Sequence, residues 1–461
     1  MTGVEGFSKT SQTSNSFGKR LPRQTNSQPL AESSSKALLA EGFAASAYNR
    51  SMAVSPHTVN FAHASTIVRA SLEELAARAI PHDEVELLDA VERVLAEPLI
   101  ADRDQPPFSR ATRDGFAARA DDWMQGNLRI QGTLAAGGMW SGGPIGRGAC
   151  VEIMTGAPVP QETDCVVMVE HVMRSGDVVS LQPGRAIEAG ENVVPRGAEA
   201  AAGSVLVPAG ARVTPSIVAA AAANGAARLK VYRRPRVAIV STGDELVAVD
   251  AQPLQWQIRN SNSYSLSAQV KALGGEPRLY APVPDKAEAL HDAIATASAD
   301  CDLLLLSGGV SMGRFDLVEP ALEAHAGAFR FTGVRMQPGK PLVFGTLREG
   351  ALPFFGLPGN PVSTMVCFAA FVAPVLAALG GEADYTLPLA MARSLSAVGA
   401  KAELRRFLPA RALRSFEGTT VATIAWHGSG DTASAARANC FLIVPEGTAV
   451  APGDSVTILL A

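Results

Sequence analysis

Apolar and polar positions along this chain fall into successive patterns. From Leu128 to about Val207, short alternating runs are broken by glycine and proline, as at Gly142-Gly-Pro-Ile-Gly146 and Leu181-Gln-Pro-Gly184, which predicts strands. From Val237 onward, compact apolar runs alternate with segments of helical period. Strands are expected over Val237–Val240, Arg278–Ala281, Leu303–Leu306 and Leu342–Phe344. Helices are expected over Asn262–Leu273, Lys286–Ala297 and Pro361–Leu379. This alternation argues for a central three-layer α/β domain with a mostly parallel sheet. After Leu387-Pro388 the pattern is β again, with strands over Thr419–Ile424, Cys440–Val444 and Ser455–Leu460.

Upstream, Ser71 and Glu74 have capping-box spacing and predict a helix start, where order begins. A second helix is expected over Leu87–Ala96, with Leu88, Val91, Val94 and Leu95 on one face and Pro98 just past its end. Thr214-Pro215 opens a third, which Asn224-Gly225 stops. The expected division is a disordered extension (1–65), an N-terminal region (66–232) of helical segments with an inserted β-rich domain at about 128–207, an α/β domain (233–382) and a small β-barrel-like domain (383–461). No 20–50-residue repeat is present.

Composition narrows the class. The 461 residues are 47% hydrophobic and 18% charged, enough for a sizeable core. A net charge of −4 leaves no nucleic-acid footprint. Five scattered cysteines have no metal spacing and read as buried reduced thiols, which points to a cytoplasmic protein. The longest apolar stretch, around Met365 to Leu379, is too short for a bilayer and reads as a buried helix. The first 65 or so residues, rich in Ser, Asn, Gln and Thr, carry no secretory core; an organelle transit peptide or a start at Met52 stays open.

The chemistry concentrates where strands end. Cys301-Asp-Leu-Leu-Leu-Leu306 runs into Ser307-Gly-Gly-Val-Ser-Met-Gly313, followed by Arg314-Phe-Asp316. Glycines there let an anion approach the main chain, and Asp316 adds a carboxylate of the kind that shares a divalent cation with phosphate. A glycine-rich turn without a ligand is the plainer reading. Arg236–Val240 runs into Ser241-Thr-Gly-Asp-Glu-Leu246, where Asp244 is equally a helix N-cap. Gln337-Pro-Gly-Lys-Pro341 offers Lys340 as an anion partner, and Gly356-Leu-Pro-Gly-Asn-Pro-Val-Ser363 places Ser363 in a first helical turn.

Together these segments resemble the molybdenum-inserting enzymes of molybdenum cofactor synthesis, the bacterial molybdopterin molybdenumtransferases related to the gephyrin E domain. Thr112-Arg-Asp-Gly-Phe-Ala117 and Ile153-Met-Thr-Gly-Ala-Pro158 are similar to two further family loops, and the likeness runs from about Ser71 to the C-terminus. The resemblance implies transfer of molybdate to adenylylated molybdopterin with release of AMP, dependent on Mg²⁺. It implies Asp114, Thr155, Glu245 and Asp316 as catalytic residues, with Glu245 and Asp316 toward the metal. Thr242, Gly243, Asp244, Ser307, Gly308, Gly309, Pro358, Gly359, Asn360 and Pro361 would hold the substrate. Ser311, Lys340, Ser363, Arg411 and Ser429 would hold molybdate, a tetrahedral anion that needs cationic and hydroxyl donors. His427 reads as a structural or rim residue. The resemblance also implies a homodimer whose site lies between protomers, Asp114 and Thr155 of one facing Glu245 and Asp316 of the other. Further partners would be the adenylyltransferase that prepares the substrate and molybdoenzymes; neither nucleic acid nor membrane is expected.

Four positions depart from the family pattern. Thr112-Arg113 replaces a small residue and Met; Gln337 stands where Lys is frequent; Gly197-Ala-Glu199 replaces Gly-Glu-Asp; and Pro409 stands where Arg is frequent, leaving Arg411 as the nearest cation. Loss of the Gln337 charge predicts weaker molybdate affinity. Two other classes compete: a molybdopterin adenylyltransferase, which is a single small domain, and a non-catalytic gephyrin-like scaffold.

Overall fold

The computed structural model describes residues 58–76, 79–310 and 317–460. Residues 1–57, expected to form most of the disordered extension, and the expected site residues Ser311 and Asp316 lie outside the described residues.

Helix α1 (Phe61–Ala76) begins ten residues before the expected start. Ser71 lies inside it, its hydroxyl donating to the Ile67 carbonyl at 3.1 Å, so it caps nothing. Phe61, Ala64, Val68 and Leu75 form the buried stripe. The expected helix over Leu87–Ala96 is also absent: residues 87–92 are turns. His82–Glu86 pairs antiparallel with Arg228–Tyr232, and the backbone that follows stays committed to strand-like partners. Glu92 N donates to Val213 O, Val213 N to Arg93 O and Leu95 N to Ala211 O. Leu88 is 76% exposed, so the apolar stripe that suggested a helix is not a buried face. Long-range pairing has overridden local period, with two β-branched valines weakening any helix.

Strand β1 (Gly115–Ala118) leads through α2 (Ala120–Gln125) to β2 (Leu128–Leu134), β3 (Ala149–Ile153), β4 (Cys165–Met168), β5 (Val172–Ser175) and β6 (Val178–Leu181). They form one sheet in the order β4-β1-β3-β2-β6-β5. Phe116, Trp123, Leu128 and Val167 pack on one face, and Leu134, Val151, Ile153 and Val166 on the other. The sheet thus takes an interior strand from before residue 128, while Val205–Val207 pairs with Leu99–Ile100 instead. Helix α3 (Pro215–Ala223) forms as expected: the Thr214 hydroxyl accepts from Ile217 N, proline occupies the first turn and Asn224 ends it.

The central domain is built on β7 (Arg236–Ser241), β8 (Glu276–Leu279), β9 (Leu303–Ser307), β10 (Ala328–Phe331), β12 (Val343–Leu347) and β13 (Leu352–Leu357), whereas the short β11 (Met336–Gln337) leaves for the C-terminal sheet. The order is β8-β7-β9-β13-β12-β10. Pairing is parallel from β8 to β13 and antiparallel across β12 and β10, so the sheet is mixed. Neither β10 nor β13 is among the strands expected from the sequence. Helices cover both faces. On one, Val237, Ile239, Leu303 and Leu305 meet α1, α4 (Ser261–Ala272) and the long helical segment 361–379. On the other, Ala238, Val240, Leu304 and Leu306 meet α5 (Ala287–Ala299) and α6 (Val318–Ala324).

Residues 361–379 comprise α7 (Pro361–Cys367), a π-helical turn (Phe368–Val372) and α8 (Ala373–Leu379). These 19 residues are apolar and long enough to cross a bilayer by composition, but they are mostly buried against the sheet. Burial rather than shortness makes this a core helix. The C-terminal strands β14 (Leu389–Ser394), β15 (Arg405–Ser415), β16 (Gly418–Thr423), β17 (Cys440–Val444) and β18 (Ser455–Leu460) close on themselves, because β15 pairs with both β16 and β17. Phe61 lies between this unit and the central domain, with ring centroids 5.4 Å from Phe407 and 5.0 Å from Phe371.

Candidate functional site

Three neighbouring parallel strands end level with one another. Ser241 of β7 registers with Ser307 of β9, and Ser307 with Leu357 of β13. Beyond them lie the turns Thr242–Glu245, Gly308–Gly309 and Pro358–Asn360. Ligands of parallel sheets bind at such carboxyl ends. The turns are laced together: Thr242 N donates to Ser307 O at 3.0 Å, and Gly308 N to Leu357 O at 3.1 Å. Gly308 sits at φ +96°, where a Cβ would come within 2.4 Å of the Thr242 carbonyl; only glycine permits this approach.

Within the first turn, the Thr242 hydroxyl donates to Asp285 at 2.5 Å, and the Asp285 N–H donates to Asp244 at 3.1 Å. No helix follows Asp244; the short strand Leu246–Val247 does, so it is not a helix cap. Asp244 and Glu245 are exposed, and the Glu245 carboxylate folds back over Gly243. The Thr364 hydroxyl donates to Pro358 O at 2.6 Å, fixing the turn ahead of Pro361.

Asp114 and Thr155 form a second locus. Asp114 precedes β1 and Thr155 follows β3, its antiparallel neighbour. Asp114 Oδ1 accepts from both the N–H and the hydroxyl of Thr155, each at 2.7 Å. These two donors, the backbone one first, hold the Asp114 carboxyl below its ordinary value. Both residues are exposed. Among the described residues, no hydrogen bond or ion pair joins this locus to the strand-end turns of the same chain.

A third group surrounds α7. Ser363 is buried in its first turn, and Val362 N donates to Ser429 O at 2.9 Å, which brings the 427–430 loop to that helix end. Gly339 packs on Cys367, one turn beyond Ser363, so the loop carrying Lys340 lies along the same helix. Pairing of β11 with β15 sets Gln337 beside Arg406, whose Nε is buried without a partner among the described residues. Lys401 Nζ donates to Gln337 Oε1 at 2.8 Å. Arg411 lies five positions farther along β15, roughly 16 Å at strand spacing, and is exposed. The backbone N–H of the exposed His427 donates to Asp431. Glu199 pairs with Arg110 and takes no part in these groups.

Sequence reasoning missed Asn262, Asp285 and Lys401. Asn262 donates to Ser307 Oγ and to Gly359 O, 2.8 Å each, joining two of the turns. The doublet Asn260-Ser-Asn262 at a helix start was the available signal. Lys401 had none, because only the β11–β15 pairing brings it near Gln337. Among the described residues no cluster of three or more His, Cys, Asp or Glu is placed to hold a metal. All five cysteines are free and buried; burial pushes Cys150 and Cys165 up to about 12 and Cys301 up to about 11.

Comparison with known proteins follows the same division. Residues 60–225 match the MoeA N-terminal region (domains I and II), 238–378 a probable molybdopterin binding domain, and 392–461 the MoeA C-terminal region (domain IV). A molybdopterin molybdenumtransferase of Nostoc sp. is 39% identical over 65% of this chain and 70% of its own length. That of Haemophilus influenzae is 32% identical over 81% and 92% respectively, and that of Bacillus subtilis 33% over 82% and 89%. The crystal structure of a molybdopterin biosynthesis MoeA protein from Pyrococcus horikoshii superposes with a TM-score of 0.73 at 27% identity, covering 88% of this chain and all of that one.

Proposed function

The chain belongs to the molybdopterin molybdenumtransferase family, and on that premise we propose that it inserts molybdate into adenylylated molybdopterin with release of AMP. The observation that carries this reading is the meeting of the Thr242, Gly308 and Gly359 turns at the ends of three parallel strands, inside a segment matching a molybdopterin binding domain. Backbone-lined turns of this kind suit the phosphates of the substrate. The adenylyltransferase alternative leaves the matched N- and C-terminal regions without a role.

The roles divide among the three groups. Thr242, Gly243, Asp244, Ser307, Gly308, Gly309 and Pro358–Pro361 hold the adenylylated pterin. Lys340, Ser363, Ser429 and Arg411, with Ser311, hold molybdate; Lys401 and Arg406 add charge beside Gln337. Asp114, kept anionic by Thr155, acts on the substrate from the other locus.

Glu245 is an exposed hard oxygen donor, the type Mg²⁺ accepts while retaining most of its waters. Glu245, with Asp316, would hold it, and when bound it would neutralise phosphate charge. We read the site as completed across a homodimer, since the Asp114 locus lies in a different sheet from the strand-end turns. Five buried, unpaired thiols support a reducing, cytoplasmic setting for the protein. The mixed sheet with helices on both faces serves as the three-layer platform for the turns.

The test is AMP release from adenylylated molybdopterin, with and without molybdate and Mg²⁺, for wild type and Asp316→Ala. Molybdate-dependent release that the variant loses is expected. A folded protein that binds nucleotide yet releases no AMP would overturn the catalytic reading in favour of a scaffold.

A further inference from the structure

Asn262 lies in the first turn of α4, nine-tenths buried, directly behind the strand-end turns. Its Nδ2 donates to Ser307 Oγ and Gly359 O. The Gly359 carbonyl can only accept, so it fixes the orientation of the amide and leaves Oδ1 free for another group. Oδ1 is buried and has no partner among the described residues. An orphaned buried acceptor is costly, and native structures rarely keep one without a reason. Of the neighbouring threonine hydroxyls, Thr242 Oγ1 donates to Asp285 and Thr364 Oγ1 to Pro358 O.

We propose that Asn262 is a recognition residue: its Oδ1 accepts a hydrogen bond from the nucleoside half of the substrate, while its Nδ2 holds the Ser307 and Gly359 turns in place. Resting on the function proposed above, this adds a specificity determinant to that site. The partner must be a donor. Phosphate and molybdate oxygens have little proton to give at neutral pH, so the donor is an N–H or O–H of the substrate's organic part. The adenine amine and the ribose hydroxyls belong to the nucleoside that carries the phosphate suited to the adjoining Ser307-Gly-Gly turn; the pterin N–H groups are the alternative that equal binding of all four nucleotides below would favour. Asn262 would therefore read the nucleoside and not the charge beside it.

Calorimetric titration of the full chain tests this with AMP, IMP (a carbonyl in place of the amine), 2′-deoxy-AMP and 3′-deoxy-AMP. Wild type should prefer AMP over one of these analogues by about fivefold to tenfold, the worth of one neutral hydrogen bond. The analogue that is disfavoured identifies the donor. That preference should collapse in Asn262→Ala. Uniform weakening of all four ligands in the variant would make Asn262 a structural staple only and overturn the proposal. Equal binding of all four by wild type would overturn it without any variant, so a misfolded Asn262→Ala protein leaves the test intact. If folded wild type binds no nucleotide, the proposed function fails first, and this outcome is distinct from binding without discrimination.

Discussion

At the scale of single residues, Asp114 shows how a carboxylate is prepared without burial. It is exposed, and its depressed pKa comes from two directed donors that outweigh the opposing effect of desolvation. The folded value lies below the ordinary 3.8, so the stabilisation is present above that value and is lost as pH falls through the folded one. Asp114 is therefore ionised across the neutral range. Removing one donor in Thr155→Val should raise the Asp114 titration midpoint toward its ordinary value, followed by carboxyl NMR. The remaining Thr155 N–H bond keeps the shift partial. A midpoint that does not move would mean the hydroxyl contributes nothing to the charge state. Motif reading supplied both residues, because they flank short, distinctive loops. It could not supply the bond between them, which depends on β1 and β3 lying side by side.

Pairing between elements explains both what was legible in the sequence and what was not. Apolar runs bounded by glycine turns identified β7 and β9 nearly to the residue, because strands buried on both faces leave a continuous signal. The same reasoning failed over Leu87–Ala96, where partners more than 100 residues away decide the conformation. It also passed over Lys401, with a consequence for molybdate. Gln337 alone suggested a lost charge and weaker anion affinity. The β11–β15 pairing instead sets Lys401 and Arg406 around that side chain, and the Gln337 amide, with its oxygen turned to Lys401, retains its N–H groups for an anion. Lys401→Met should then weaken molybdate binding by about two- to fivefold, a modest loss because the ammonium is solvent-exposed. Gln337→Lys should gain little, since the new ammonium would repel Lys401. A molybdate titration in which Lys401→Met matches wild type, while Gln337→Lys binds more tightly, would restore the simpler view of an uncompensated loss.

The whole molecule poses a problem that neither loops nor pairings resolve. Two sets of candidate groups sit in different sheets, Asp114 with Thr155 in one and the strand-end turns in another, with no hydrogen bond or ion pair between them among the described residues. If each active site draws one set from each protomer, a symmetric dimer has two sites, and each needs both chains. Asp114→Asn and Glu245→Gln should each abolish AMP release as homodimers. Mixed by co-expression in equal amounts, they yield half heterodimers, each of which rebuilds one unmutated site and concentrates both lesions in the other. Activity should return to about a quarter of wild type, the product of that half and one site in two. Sites contained within single chains would behave otherwise, since every site would carry one lesion or the other and mixing would restore nothing. The return of activity, or its absence, therefore separates the two arrangements, and tagged purification of the heterodimer should double the recovered fraction if the sites are shared.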